Sequence, residues 1–215
     1  MKNWKTNMDY RDKVMHDLPK SYQDWFIEEQ KYLKKVIKKN AKVLEIWCWD
    51  WRSIKDIIDI TQNITWIDYD DKAIKYAKLI FENYPNVYIL KANALKLPFN
   101  DDLFDNLICM TTFANFAKDK FDILSEMKRV LKSEWKIVIS VFNEDALSER
   151  MKVYNNVKVK IKEVLDWVVC FDFEWANISE QFSKEQLITI FEKSWFVIDD
   201  ITKKWIAYLC TISKK

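Results

Sequence analysis

Val43-Leu44-Glu45-Ile46-Trp47-Cys48-Trp49-Asp50-Trp51-Arg52-Ser53 decides how this chain is read. It opens as a short apolar strand, passes through a turn with Trp at three alternating positions, and enters a helix. As written, the turn is chemically odd. Trp is bulky and ill-suited to positive φ, and three indoles in five residues cannot all be buried in a tight strand-to-helix connection. The 215 residues contain 11 Trp and no Gly, where average usage of about 7% would supply roughly 15 Gly. An α/β chain needs glycine at turns and at close backbone approaches. One change of codon meaning accounts for both anomalies, since UGA is read as Trp in some genetic codes and as Gly in others. The basic residues are almost all Lys (31 of 35), as expected of an AT-rich genome. The expectation is that most or all Trp here stand where the natural protein has Gly.

Other Trp positions carry the same signature. Trp66 lies near the end of the strand Ile64–Tyr69, where a ligand could approach the backbone. Trp135 sits between a helix and the next strand. Trp195 follows Phe191-Glu192-Lys193-Ser194, as a residue just past a helix end. Trp205 separates the apolar runs 196–201 and 206–212 and marks a hairpin turn. Trp4, Trp25, Trp167 and Trp175 are uninformative, and Trp25 reads equally as a core residue of the first helix.

Read with Gly at 47, 49 and 51, the quoted stretch becomes V-L-E-I-G-C-G-D-G-R-S. That string resembles motif I of the class I S-adenosylmethionine (SAM)-dependent methyltransferases of the type 11/25-like branch. Three further matches follow in order. Ile67-Asp68-Tyr69-Asp70 ends the second strand with carboxylates. Lys91-Ala92-Asn93-Ala94-Leu95-Lys96-Leu97-Pro98-Phe99, followed by Phe104-Asp105, is similar to the family's adenine-binding block, with Asn93 where the family carries Asp. Glu126-Met127-Lys128-Arg129-Val130-Leu131-Lys132, then Trp135-Lys136, is similar to its E-x-x-R-V-L-K helix end. The likeness spans residues 40–142 and 181–213.

The resemblance implies a Rossmann-like class I methyltransferase fold of α/β class. Its mainly parallel seven-stranded sheet would have helices on both faces and a reversed last strand. It also implies S-adenosyl-L-methionine as cofactor, held by Glu45, Trp47, Cys48, Trp49, Trp51, Asp68, Tyr69, Asn93, Ala94, Leu95, Cys109 and Thr111. Asp68 would accept the ribose hydroxyls. Asn93 would offer a carbonyl oxygen to the adenine amino group. Thr111, Thr112 and Asn115 follow the fourth strand, where cofactor and acceptor meet in this fold. No catalytic base stands out, and His16, the single His, lies in the N-terminal arm.

The residues themselves support the same architecture. Short apolar runs (42–46, 64–69, 86–91, 104–110, 136–142) alternate with helical segments (53–60, 71–83, 118–131), which argues for a parallel sheet with ligands at the carboxyl ends of its strands. Residues 1–40 form an arm and a helix (21–39, capped by Ser21), and residues 41–215 form the main domain. Within it, 144–181 breaks the rhythm with a helical stretch (145–165) and an aromatic extended piece (167–174), a plausible substrate-side insertion. A helix (183–194) and two strands close the chain.

The net charge of +2 gives no reason to expect nucleic acid as partner. No apolar run reaches membrane-spanning length, the Cys residues lack C-x-x-C pairing, and no metal-ligand spacing occurs. A cytoplasmic methyltransferase acting on a small-molecule acceptor is the expected function. A nicotinamide oxidoreductase on the same fold is disfavoured by the G-x-G-x-G spacing. The contrasting class is a non-enzymatic binding or scaffold protein, which follows if real indoles at 47, 49 and 51 obstruct the cofactor loop.

Overall fold

The computed structural model describes residues 18–46, 51–61, 63–156, 158–172 and 178–215. Trp4, His16, Trp47, Cys48, Trp49, Asp50 and Trp175 lie outside the described residues. In chain order the elements are α1 (Lys20–Val36), β1 (Val43–Ile46), α2 (Arg52–Ile57), β2 (Ile64–Asp68), α3 (Asp71–Ile80), β3 (Val87–Lys91) and β4 (Phe104–Met110). Two 3-10 turns (Thr112–Asn115 and Ala117–Asp119) lead to α4 (Lys120–Val130), β5 (Leu131–Phe142) and α5 (Leu147–Asn156). Then come β6 (Ile161–Leu165), β7 (Val168–Phe171), β8 (Ile178–Glu180), α6 (Lys184–Lys193), β9 (Phe196–Lys204) and β10 (Ala207–Lys214).

Seven strands form one sheet in the order β3-β2-β1-β4-β5-β10-β9. The first five pair in parallel, and β10 runs antiparallel to both its neighbours. This is the Rossmann-like sheet with a reversed last strand that the sequence predicts. Alternate strand residues feed two cores, as the period of two requires. Leu44, Ile46, Leu107 and Cys109 face one core with Leu124 and Met127 of α4 and Leu187 and Phe191 of α6. Val43, Ile108 and Met110 face the other with Ile54 and Ile57 of α2 and Ala73, Ile74 and Ala77 of α3.

Caps follow local chemistry. Asp70 accepts the Lys72 N–H at 2.8 Å to start α3, and Ser183 with Gln186 closes a reciprocal capping box on α6. At α1 the expected cap is displaced: Pro19 occupies the N-cap position without a side-chain hydrogen bond, and Ser21 lies inside the helix, where its hydroxyl donates to Glu149. Pro at a helix start loses nothing, because its missing N–H would have been unpaired there.

The segment after β5 departs most from expectation. Its helix ends at Asn156, and 161–165, expected as helix, is instead β6 of a separate three-stranded antiparallel sheet, β6-β7-β8. Leu165 pairs with Val168 across a two-residue turn, Asp166-Trp167. Trp135 also does not mark a break in the chain. β5 is continuous across it, with a register shift that pairs Phe104 with Leu131 but Asn106 with Lys136, so the slack is taken up as a bulge.

Candidate active site

Parallel register brings the carboxyl ends of β1 to β4 to one edge. Ile46 lies beside Ile67, and Asp68 beside Lys91. Asp68, Tyr69, Asn93, Ala94, Leu95 and Thr111 therefore collect along this edge, with Trp51 at the start of α2. Glu45 and Cys109 stand one level deeper, fully buried. The Glu45 carboxylate accepts from Ser53 Oγ, which fastens β1 to the first turn of α2. Burial, with Glu45 adding to it, pushes the Cys109 thiol far above its usual ionisation range, so it stays a neutral apolar filler.

The edge is held by short local bonds. Asp68 is 7% exposed. Its Oδ1 accepts the Asp70 N–H at 2.9 Å, and its backbone carbonyl accepts Ala92 N–H at 2.8 Å. Burial, and then the charges of Asp68 and Asp70, raise the pKa of Tyr69, keeping it a phenol. Asn93 Oδ1 accepts the Leu95 N–H at 2.9 Å, so the side chain expected to face a ligand also builds the turn that carries it. Thr111 has left-handed backbone (φ 61°) directly after β4, and its N–H donates to the Ser140 carbonyl of β5 at 2.9 Å.

Glu126 and Arg129 have a structural task that spacing alone does not disclose. Glu126 accepts the Leu97 N–H at 2.7 Å. Arg129 donates to the carbonyls of Leu97 (2.9 Å) and Phe99 (2.7 Å) and is forked on Glu126. Together they clamp the loop that follows Asn93–Leu95. Arg129, first among its causes, holds the Glu126 carboxyl below its ordinary range.

Sequence reasoning missed a buried polar ladder under α1. Trp25 Nε1 donates to Ser140 Oγ at 3.2 Å, Ser140 Oγ donates to Glu29, and Glu29 pairs with Arg52 at 2.7 Å. The Arg52 guanidinium lies 3.4 Å above the Phe26 ring. The signal was a charged residue on the apolar stripe: Glu29 follows Tyr22, Trp25 and Phe26 and precedes Leu33 at helical spacing.

At Trp51 the backbone is left-handed (φ 51°, ψ 13°). Its indole is buried against Tyr76 and Trp66, at ring-centroid separations of 4.6 and 6.5 Å. At this position the expected obstruction by an indole is not met, because the ring turns into the second core beneath α3.

Residues 51–139 match the family model of a methyltransferase domain. A demethylmenaquinone methyltransferase of Staphylococcus aureus is 25% identical over 217 residues, covering 90% of this chain and 87% of the relative. The chain is a SAM-dependent methyltransferase. Solved structures share its fold. A SAM-dependent methyltransferase from Aquifex aeolicus superposes with a TM-score of 0.69 at 16% identity, covering 94% of this chain and 96% of the other. One from Methanosarcina mazei gives 0.67 at 16%, covering 85% and 96%.

The methyltransferase takes SAM as its cofactor, and the strand-end residues suit that molecule. Trp51 has left-handed backbone, which costs an L-residue about 1–2 kcal/mol. A well-anchored carboxylate at the end of β2 is a fitting acceptor for vicinal hydroxyls, and the turn 93–95 offers amide and carbonyl groups to a base edge. SAM supplies a sulfonium-bound methyl group already activated for transfer. The chain's share of the work is to hold, orient and desolvate. Among the described residues no helix is long and apolar enough to cross a membrane.

Proposed function

We propose that this methyltransferase methylates a small molecule in the cytoplasm, at the carboxyl ends of β4 and β5. In this reading Asp68 takes the ribose hydroxyls of SAM, Asn93, Ala94 and Leu95 take the adenine, and the turn through 47, 48, 49 and 51 lies against the amino-acid portion. Glu45, tied to Ser53 in the first turn of α2, and Cys109 of β4 lie beneath the cofactor edge, and Tyr69 and Thr111 flank the cofactor. The observation that carries the reading is the single edge on which Asp68, Asn93–Leu95 and Thr111 meet, in the family's order. The Staphylococcus aureus relative, aligned over nearly its whole length, favours a small lipophilic acceptor of the kind its name states. The near-neutral charge favours no nucleic-acid partner.

We further propose that glycine is the natural residue at most Trp positions. Trp51, Trp195 and Trp205 all have left-handed φ, at 51°, 62° and 52°. Trp195 lies just past the end of α6 and Trp205 in the β9–β10 turn, and both indoles are largely exposed, at 66% and 58%. Asp166-Trp167 read as Asp-Gly is the strongest two-residue hairpin signal. Trp66 is wholly buried, and its indole N–H has no hydrogen-bond partner among the described residues, whereas buried Trp ordinarily finds one. Trp25 differs in its backbone and in its indole N–H. It is helical, fully buried, bonded to Ser140 and packed on Phe142 and Phe26, so it reads as a genuine Trp.

Two measurements test these readings. Calorimetry with S-adenosylhomocysteine should show micromolar binding, roughly −8 kcal/mol, by protein carrying Gly at every Trp position except 25. The same protein should move label from methyl-labelled SAM to reduced demethylmenaquinone. Absence of cofactor binding in a folded glycine form overturns the site assignment. Binding without transfer overturns the acceptor alone. Peptide mass spectrometry of protein from the source cells should read Gly at 51, 195 and 205 and Trp at 25, and Trp at all four overturns the recoding.

A further inference from the structure

Past the end of β5 the chain buries a cation that meets no carboxylate among the described residues. Arg150 of α5 is wholly buried. Its guanidinium lies 4.3 Å over the Phe142 ring and donates to Gln181 Oε1 (3.0 Å), the Ser179 carbonyl (3.1 Å) and the Tyr154 phenol oxygen (3.2 and 3.4 Å). Every one of these partners is neutral. The adjacent acid, Glu149, is engaged by Lys152 and Ser21 instead. A guanidinium withdrawn from water without a counter-charge is costly and leaves a positive field in a low-dielectric place.

Two phenols stand in that field. Tyr154 accepts from Arg150, and its own O–H has no acceptor among the described residues. Tyr22 of α1 is 6% exposed, and its hydroxyl likewise has no partner among the described residues. Burial first, then Tyr154 and Glu149, drive its ionisation far upward against the pull of Arg150, so it remains an O–H donor. The surroundings are aromatic: Tyr22 packs on Trp25, Phe26 and Phe142 at centroid separations of 5.6, 6.1 and 6.1 Å. Phe142 ends β5, and Ser140 two residues before it receives the Thr111 N–H. The cluster thus adjoins the strand ends assigned to methyl transfer.

We propose that Tyr22 and Tyr154, backed by Arg150, form an anion-holding site that binds the acceptor as a phenolate. This rests on the methyl-transfer reading. An acceptor stripped of its proton is the stronger nucleophile toward a sulfonium methyl group, and two phenol donors with a cation behind them favour that ionised form. The aromatic walls offer flat apolar surface to the ring that carries the phenolate oxygen. Tyr22, Tyr154 and Arg150 are positioning residues for the acceptor.

The probe is para-nitrophenol, whose ionised form has its own absorption band, titrated into the glycine form with and without S-adenosylhomocysteine. The bound probe's apparent pKa should fall by about one unit or more. Tyr154→Phe and Tyr22→Phe, which each lose only a hydroxyl, should weaken binding of the phenolate about tenfold. Neutral para-nitroanisole and S-adenosylhomocysteine should bind these variants as before. Arg150→Lys should retain part of the pKa shift. If that variant fails to fold, the two phenylalanine variants decide. An unshifted probe pKa, or phenolate binding that ignores both hydroxyls, overturns the proposal. Tighter binding of para-nitrobenzoate than of the phenolate overturns the choice of anion. Failure of S-adenosylhomocysteine to bind at all counts against the methyl-transfer reading, and the cofactor-free titration still reads the anion site.

Discussion

Glu29 and Arg52 meet in a 2.7 Å ion pair, with side chains only 2% and 13% exposed, and so join α1 to the first residue of α2. The carboxylate also receives Ser140 Oγ, which ties the pair to β5. Removing one partner of such a pair strands the other away from water, at about 3–5 kcal/mol. Glu29→Ala should lower unfolding free energy in urea by about 3 kcal/mol or more and weaken S-adenosylhomocysteine binding, because Arg52 leaves the cofactor turn. Denaturation and calorimetry on one preparation check both effects.

Single glycine substitutions should divide by backbone conformation. Trp195→Gly and Trp205→Gly should each stabilise the fold by about 1 kcal/mol through relief of left-handed strain. Trp25→Gly should destabilise it by at least about 3–5 kcal/mol, through an emptied core volume and a glycine inside a helix. Thermal denaturation of the three variants reads opposite signs, and a uniform loss would contradict the sorting of Trp residues made above.

Acid sensitivity should trace to the clamp on the Leu97–Phe99 loop. Arg129 depresses the Glu126 carboxyl in the folded state. Its contribution to stability is therefore present above the unfolded Glu value of about 4.3 and is lost as pH falls through the lower folded value. Glu126→Gln should be less stable at neutral pH, and its stability should fall less steeply below pH ~5. Urea titrations at a series of pH values compare the two slopes.

Asp68→Asn should reduce S-adenosylhomocysteine affinity about tenfold or more, the worth of charge-assisted hydrogen bonds to two hydroxyls. The melting temperature without ligand should move little, since Asn can still accept the Asp70 N–H. Equal affinity for the variant would remove Asp68 from the site.

The central sheet was legible because its strands are short apolar runs between helices with clear apolar stripes, and because Asp68, Asn93 and Glu126 arrive in family order. The small sheet was not legible, for a physical reason. β6 is mostly exposed, so no alternation of apolar and polar residues advertises it, and the tight turn that follows it, Asp166-Trp167, carries no glycine to signal a hairpin. The Glu29–Arg52–Ser140 ladder escaped because it joins three segments distant in sequence. Arg150 escaped because a lone basic residue on a helix reads as solvated until its partners are seen.

β10 lies between β5 and β9, so one side of β5 stays unpaired until β10 has left the ribosome. Until then β5 presents a bare row of peptide groups on a strand whose 137–142 stretch is wholly buried in the finished fold. A nascent chain in that condition is open to edge-to-edge association with its neighbours on a polysome. Slow translation of the β9–β10 segment would prolong that exposure, and release of the finished hairpin would end it.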